Sequence, residues 1–348
     1  MLGLTTHPRV ARTVAILLFS ALIAGRSAPA AADSPDTYAP SASASIAAWS
    51  TMLTKSLHYI LHCWFNPDAS SSSECADPIY FGKTSGLGSS TRGTAWDAVF
   101  SAPIAPNLRV GIVGGVGQYK FNFDRFDSHI SSDAMSGGAF AAYNFAPNLL
   151  LSVLGIYSDT NSKMNSYGTA AWYHSRQVML QAEVTRFIRI DKSHWADVTG
   201  GVSYARDRRE AFTDTLFGET EPGSATSMTR LRAGARLGKN FAAHNSACSG
   251  TTKPACADAT AFIGFAAYHD SVSGNFSDPI AGFPAVKTHY FGILGLAGFE
   301  YPLNRYVSVG GQASAFSGGN FSGYSLAGVL NVKLWELAIG RAAPLIGR

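Results

Sequence analysis

The 348-residue chain holds 35 glycines, 12% aromatic and only 14% charged residues, with a formal net charge of +4. That charged fraction lies far below the ~25% of ordinary soluble domains, so the surface faces something other than water, although mean hydropathy is only +0.06. The mild charge and the absence of a basic run give no support to a nucleic-acid partner.

Residues 1–32 read as a secretory signal peptide. Arg9 and Arg12 form a positive start, Thr13 to Gly25 ("TVAILLFSALIAG") a short apolar stretch, and "SAPAAADS" offers cleavage after Ala30 or Ala32. The apolar stretch falls short of the ~20 residues of a spanning helix, and no other stretch approaches one. The mature chain is therefore expected to be exported without a helical anchor.

Residues 33–77 form an N-terminal segment. Within it, "IAAWSTMLTKSLHYILHCWF" (46–65) carries Ile46, Trp49, Leu53, Leu57 and Trp64 at helical spacing, one stripe of an amphipathic helix. Pro67 and a serine run then break it. The four cysteines fall into two local pairs, Cys63/Cys75 and Cys248/Cys256, both in Ser-, Ala- or Pro-rich surroundings. In an exported chain these predict two loop-closing disulfides. Their spacings match no common zinc pattern, so neither a metal nor a cofactor is expected.

From about Pro78 the period becomes two. Leu108, Val110, Ile112 and Val116 alternate with Arg109, Gly111, Gly115 and Gly117; Val178, Leu180, Ala182 and Val184 alternate with Gln177, Gln181, Glu183 and Thr185. Twelve such runs lie near 78–86, 94–103, 108–121, 135–145, 149–158, 171–190, 195–212, 225–241, 260–270, 287–302, 306–318 and 321–335. Short connections are expected at 104–107, 146–148, 191–194 and 303–305, and long polar ones at 122–134, 159–170, 213–224 and 271–286. A long connection at 242–259 breaks that order.

One phrase recurs at the short connections: "IAPNLRVGI" from Ile104, "FAPNLLLSV" from Phe145 and, more loosely, "YPLNRYVSV" from Tyr301. Pro and Asn mark turns, and two strands with their connections make a repeat. Alternating strands with two classes of connection predict an all-β fold over 78–335: a transmembrane, antiparallel, up-and-down barrel of about twelve strands. An amphipathic helix precedes it and a tail, 336–348, follows.

Closure pairs every backbone group facing hydrocarbon, and an even strand number puts both ends on the periplasmic side. A soluble β fold would turn its polar face outward and load it with Lys and Glu. Here that face is Gly, Ser, Thr, Gln and paired charges, which suits a wet lumen inside a wall touching outer-membrane lipid. Several runs exceed the ~9–11 residues needed to span. Arg206, Arg208 and Arg209 in "YARDRREAF" fit the part rising above the membrane.

"RLRAGAR" places Arg230, Arg232 and Arg236 on the lumen face, with Glu183, Asp197 and Asp207 as candidate partners on neighbouring strands. The strip either favours anions in the lumen or neutralises buried carboxylates, each cross-strand pair contributing ~0.2–1 kcal/mol. On that reading Arg232 tolerates Leu, whereas Leu231 and Leu237, facing lipid, do not tolerate Arg. "YHDSVSGNFSDP" from Tyr268 is the enzyme-like string. His269 and Ser271 share the lipid-side face with Ile263, Phe265 and Ala267, where an imidazole could take the serine proton during ester attack. The glycine-rich "VGIVGGVGQ" lies mid-strand and is read as close packing or lumen space.

The signal peptide, the pre-barrel helix, the twelve-strand pattern and the stretch "TAWDAVFSAPIAPNLRVGIVGGVGQYKFNFD…GGAFAAYNFAPNLLLSVLGIYSD" resemble the autotransporter β-domain, the translocator of type V secretion. The resemblance covers roughly residues 90–335. It implies a location in the outer membrane of a Gram-negative cell and a helix, here 46–65, inserted in the lumen. It also implies export of an N-terminal passenger and assembly by the barrel assembly machinery. Residues 33–77 are shorter than a usual β-helical passenger, and "ELAIGRAAPLIGR" follows Trp335, where the family ends on an aromatic residue. Two alternatives stand beside the translocator: a small diffusion channel, and a lipid-hydrolysing enzyme using His269 and Ser271.

Overall fold

The computed structural model describes residues 73–86, 89–123, 128–166, 169–213, 220–221, 223–241, 259–275, 286–304, 306–318 and 321–333. The expected signal peptide, the helix at 46–65, Cys63, Cys248, Cys256 and the tail 336–348 lie outside these residues. The described residues hold fourteen strands and no helix. They are β1 (Ser73–Gly86), β2 (Ser89–Ala105), β3 (Leu108–Phe123), β4 (Ser128–Ala146), β5 (Leu149–Ser166), β6 (Thr169–Arg189) and β7 (His194–Arg209). After the short β8 (Phe212–Thr213) and β9 (Thr220–Glu221) come β10 (Ser224–Phe241), β11 (Ala259–Asn275), β12 (Val286–Pro302), β13 (Val307–Gly318) and β14 (Phe321–Val332).

Twelve of these strands close into an antiparallel barrel, each next to its neighbour in sequence, with β1 paired to β14; β8 and β9 form a separate two-stranded hairpin. Closure leaves no unpaired sheet edge for hydrocarbon to meet. The first strand starts at Ser73 rather than near Pro78. Its register slips between Ala76 and Ile79 against β14 and between Asp77 and Tyr80 against β2. Pro78, which has no N–H to give a ladder, sits in that irregularity, and the strand continues upstream of it. Cys75 is therefore part of β1, with its backbone beside Asn331 and Val99, rather than in a serine-rich loop.

The recurring Ala-Pro-Asn-Leu phrase is a bulge followed by a two-residue turn. Register shifts fall between Pro103 and Ala105 in one hairpin and between Asn144 and Ala146 in the other. In both, the turn asparagine offers its carbonyl to the next strand: Asn107 O accepts from Asn144 N and Asn148 O from Phe187 N, each at 2.8 Å. Asn148 has φ 63°, the left-handed conformation that asparagine tolerates better than most residues. In the looser third echo the side chain does the work: Asn304 Oδ1 accepts from Tyr306 N at 2.8 Å and Val307 N at 2.9 Å.

Exposure alternates along β2 to β7 and β10 to β12, and over the middle of the barrel the outward residues are apolar. On β7 they are Ala196, Val198, Gly200, Val202 and Tyr204; on β10 they are Leu231, Ala233, Ala235 and Leu237. Ala196 to Tyr204 covers about 27 Å of strand, or about 20 Å of depth at a ~40° tilt, close to the ~25 Å apolar band of outer-membrane barrels. The inward face at this level is buried and polar, with Glu183, Asp197, Arg230 and Arg236 all under 8% exposed. Hydroxyl pairs tie adjacent strands there, Thr185 to Thr199 at 3.0 Å and Ser314 to Ser325 at 2.6 Å.

Toward the end away from Ser73 and Val332 the pattern inverts. Tyr119, Phe121 and Ile130 turn inward and form an apolar cluster with Ala134, Met164 and Tyr173. Outward at the same level stand Gln118, Lys120, His129, Ser131, Asp133, Asn161 and Lys163, with Gln118 Nε2 donating to Asp133 Oδ1 at 3.1 Å. A wall with a dry interior and a wet exterior has left the bilayer. This inversion corrects two expectations. The polar stretches 122–134 and 159–170 are not long loops; they are mostly strand, and the connections shrink to 124–127 and 167–168. Ser131, Asp133, Asn161 and Lys163 face water without breaking the ladder, while on the inner face the buried hydroxyls of Ser132 and Ser162 satisfy each other across β4 and β5 at 2.8 Å.

Candidate functional site: the lumen wall of β6, β7, β10 and β11

The even-numbered residues of β10 face the lumen, so Arg230, Arg232 and Arg236 line one side of it. Each meets a carboxylate by a different route. Arg230 lies directly opposite Asp270 of β11, with Nε to Oδ1 and Nη2 to Oδ2 both at 2.7 Å, the two-pronged geometry that suits guanidinium and carboxylate. Arg236 lies opposite Asp197 of β7 and donates Nη2 to Oδ2 at 2.6 Å and Nε to both oxygens at 3.0 and 3.1 Å.

Arg232 reaches two strands away. Its neighbour on β7 is Gly201, whose own neighbour on β6 is Glu183, and Arg232 Nη2 pairs with Glu183 Oε1 across that glycine. A Cβ at position 201 would stand 2.7 Å from Glu183 Cγ, so only glycine leaves the path open. Gln181 Nε2 donates to the same Oε1 at 2.6 Å, while Glu183 Oε2 is buried without a hydrogen-bond partner.

Glycines also seat the aromatic residues under these charges. Tyr268 lies flat on the wall over Gly292, where an added Cβ would come within 2.2 Å of its ring. The Arg230 guanidinium sits over Tyr268, 4.1 Å from the ring centre, within cation–π range. Trp195 covers Gly238 and Phe262 covers Gly298; Arg236 lies 5.9 Å from the first ring centre and 5.4 Å from the second. Wall glycine, aromatic plate, arginine and carboxylate thus stack inward in order.

Sequence parity placed Glu183 and Asp197 on the lumen face beside the arginines. It missed Asp270, the partner of Arg230; Asp207 stands higher on β7, opposite Thr226 and Gln177. The signal for Asp270 was present, since it shares parity with Tyr268 in "YHDSV". His269 and Ser271 do face outward, as Ile263 and Phe265 do. His269 stacks on His289, with ring centres 5.7 Å apart and planes 11° apart, and His289 stands directly opposite Ser271. Among the described residues Ser271 makes no hydrogen bond to either imidazole, the contact that would activate a serine. No group of three or more potential metal ligands occurs among the described residues.

The family model for the autotransporter β-domain matches residues 81–314. The chain belongs to the autotransporter β-domain family. The translocator domain of the autotransporter NalP from Neisseria meningitidis is similar, with a TM-score of 0.64 at 13% identity over 83% of this chain and 97% of that one. The β domain of the Bordetella autotransporter Brka has a TM-score of 0.60 at 12% identity, covering 76% and 99%. The transport unit of AIDA-I from Escherichia coli has a TM-score of 0.55 at 14% identity, covering 77% and 91%. At such identities the likeness is one of fold. No curated protein sequence matches the chain. The autotransporter β-domain is an outer-membrane barrel of the translocator type, and its outward apolar band and paired lumen follow from that location.

Proposed function

We propose that this autotransporter β-domain acts as a translocator whose lumen is closed by protein rather than open to ions. The observation that supports it is the lumen strip, where each of the three arginines is bonded to a carboxylate. A strip neutralised in place holds strands β6, β7, β10 and β11 together and gives little pull on passing anions. In this reading residues 1–32 direct export, and the barrel assembly machinery inserts the wall with both ends in the periplasm. The amphipathic stripe at 46–65 occupies the lumen. Cys63–Cys75 and Cys248–Cys256 form disulfides, which non-reducing digestion and mass spectrometry would reveal as two local cross-links; four free thiols or crossed pairing would contradict them.

Conductance in planar bilayers tests the main reading. Intact protein should conduct weakly, and removal of residues 33–72, which leaves β1 whole, should raise the current. High conductance in the intact protein would favour a diffusion channel.

A further inference from the structure

A second cluster of arginines lies on the outer face. Above the outward apolar residues of β7, which end at Tyr204, come Arg206 and Arg208, both exposed. On β6 the outward run ending at Val178 is followed by Arg176. Arg206 stands directly opposite Val178, and Arg208 directly opposite Arg176. Two like charges facing each other across a ladder destabilise it unless something negative lies between.

The neighbouring carboxylates answer only the β6 side of this pair, where Asp159 stands opposite Arg176 in the ladder. Asp159 of β5 is engaged by His174 Nε2 at 2.6 Å, and Glu210 by Arg176 Nη2 at 3.2 Å, with His174 Nδ1 at 3.8 Å. On the other side, the hydroxyls of Ser227 on β10 and Ser273 on β11 are bonded to each other at 2.8 Å beside Arg206. Arg206 and Arg208 have no carboxylate partner among the described residues. Spaced about 7 Å apart along the strand, they form an anion-binding pair at the upper rim of the apolar band.

We propose that Arg206 and Arg208, with Arg176 beside them, bind the phosphate of a phosphorylated glycolipid in the outer leaflet. Acyl chains would lie against Val178, Leu180, Val202 and Tyr204, and the phosphate would meet the guanidiniums, whose planar donors suit it. The inference rests on the reading above that both barrel ends are periplasmic, which makes this rim the cell-surface one. Adjacent serine hydroxyls supply further donors to the same headgroup.

Native mass spectrometry of the purified full chain in detergent tests it. Diphosphoryl lipid A, phosphatidylglycerol and inorganic phosphate are titrated against wild type and the double variant Arg206→Ser, Arg208→Ser. Wild type should hold diphosphoryl lipid A on the order of tenfold more tightly than the double variant, with both proteins keeping heat-modifiable migration. Equal retention by the two would overturn the proposal, as would equal retention of phosphatidylglycerol or displacement by equimolar inorganic phosphate. A separate arm tests the orientation. Asn161→Cys, in a chain with its native cysteines replaced by serine, should react with an impermeant maleimide on intact cells. Reaction only after permeabilisation would refute the orientation whatever lipid is bound.

Discussion

Replacing Arg232 by methionine removes the charge while keeping much of the side chain's bulk. The side chains of Arg232 and Glu183 are only 10% and 2% exposed, so the change leaves a carboxylate in a site that water barely reaches. Breaking a buried pair from one side costs ~3–5 kcal/mol. Gln181 still donates to Oε1, and Oε2 gains nothing, so a loss near the lower end, about 3 kcal/mol, is expected. Glu183→Gln alone strands the guanidinium and should cost a similar amount. The two changes together remove both charges, and their combined cost should stay within about 1 kcal/mol of wild type. Urea titration in detergent micelles, following the fraction of fast-migrating folded band, measures all four proteins. A cost below about 0.5 kcal/mol for Arg232→Met, or a double variant as unstable as the sum of the singles, would refute a buried, coupled pair. The expectation that leucine is tolerated at 232 treats the lumen as water; the burial of Glu183 predicts instead that leucine, like methionine, destabilises the barrel.

Three further outcomes follow from particular residues. Gly292→Leu would push Tyr268 off the wall and with it the plate under Arg230, at a cost of about 1–3 kcal/mol; the same titration should show a lowered midpoint, and an unchanged one would mean that Tyr268 has room to move. Leu231→Arg or Leu237→Arg places a guanidinium on the lipid face at ~2–4 kcal/mol each near mid-depth, and the yield of folded band on refolding into bilayers should fall, whereas wild-type yield would argue against the parity. At the β6–β7 turn, the backbone N–H groups of Ser193 and His194, then the His194 side chain, hold the Asp191 carboxyl below its ordinary value of 3.8. Its support of the turn is therefore complete above that value and fades only as pH falls through the depressed one, so protection of the Ser193 and His194 amides from hydrogen exchange should persist at pH 4; loss of protection between pH 6 and 5 would contradict the downward shift.

Much of the wall was legible because a barrel in a membrane writes its period directly into the chain. Leu231, Ala233, Ala235 and Leu237 against Arg230, Arg232 and Arg236 leave a single acceptable register, since a slip by one residue reverses every side chain. The stretches 122–134 and 159–170 were misread for a physical reason. Above the bilayer the wet and dry faces exchange, so Ser131, Asp133, Asn161 and Lys163 face water while Ile130 and Met164 fill the interior. Polarity alone cannot separate such a strand from a loop. The Arg232–Glu183 contact was hidden differently: it skips a strand, and the residue that permits it, Gly201, shows nothing in sequence except the lack of a side chain.

The central claim is that one face of each strand meets lipid while a paired, charged face lines a closed lumen. Site-directed spin labels placed singly at residues 229–239 of the bilayer-reconstituted protein test it most directly. Accessibility to oxygen should peak at 231, 233, 235 and 237 and fall at 230, 232, 234 and 236. A flat profile, or peaks at the arginine positions, would contradict the account.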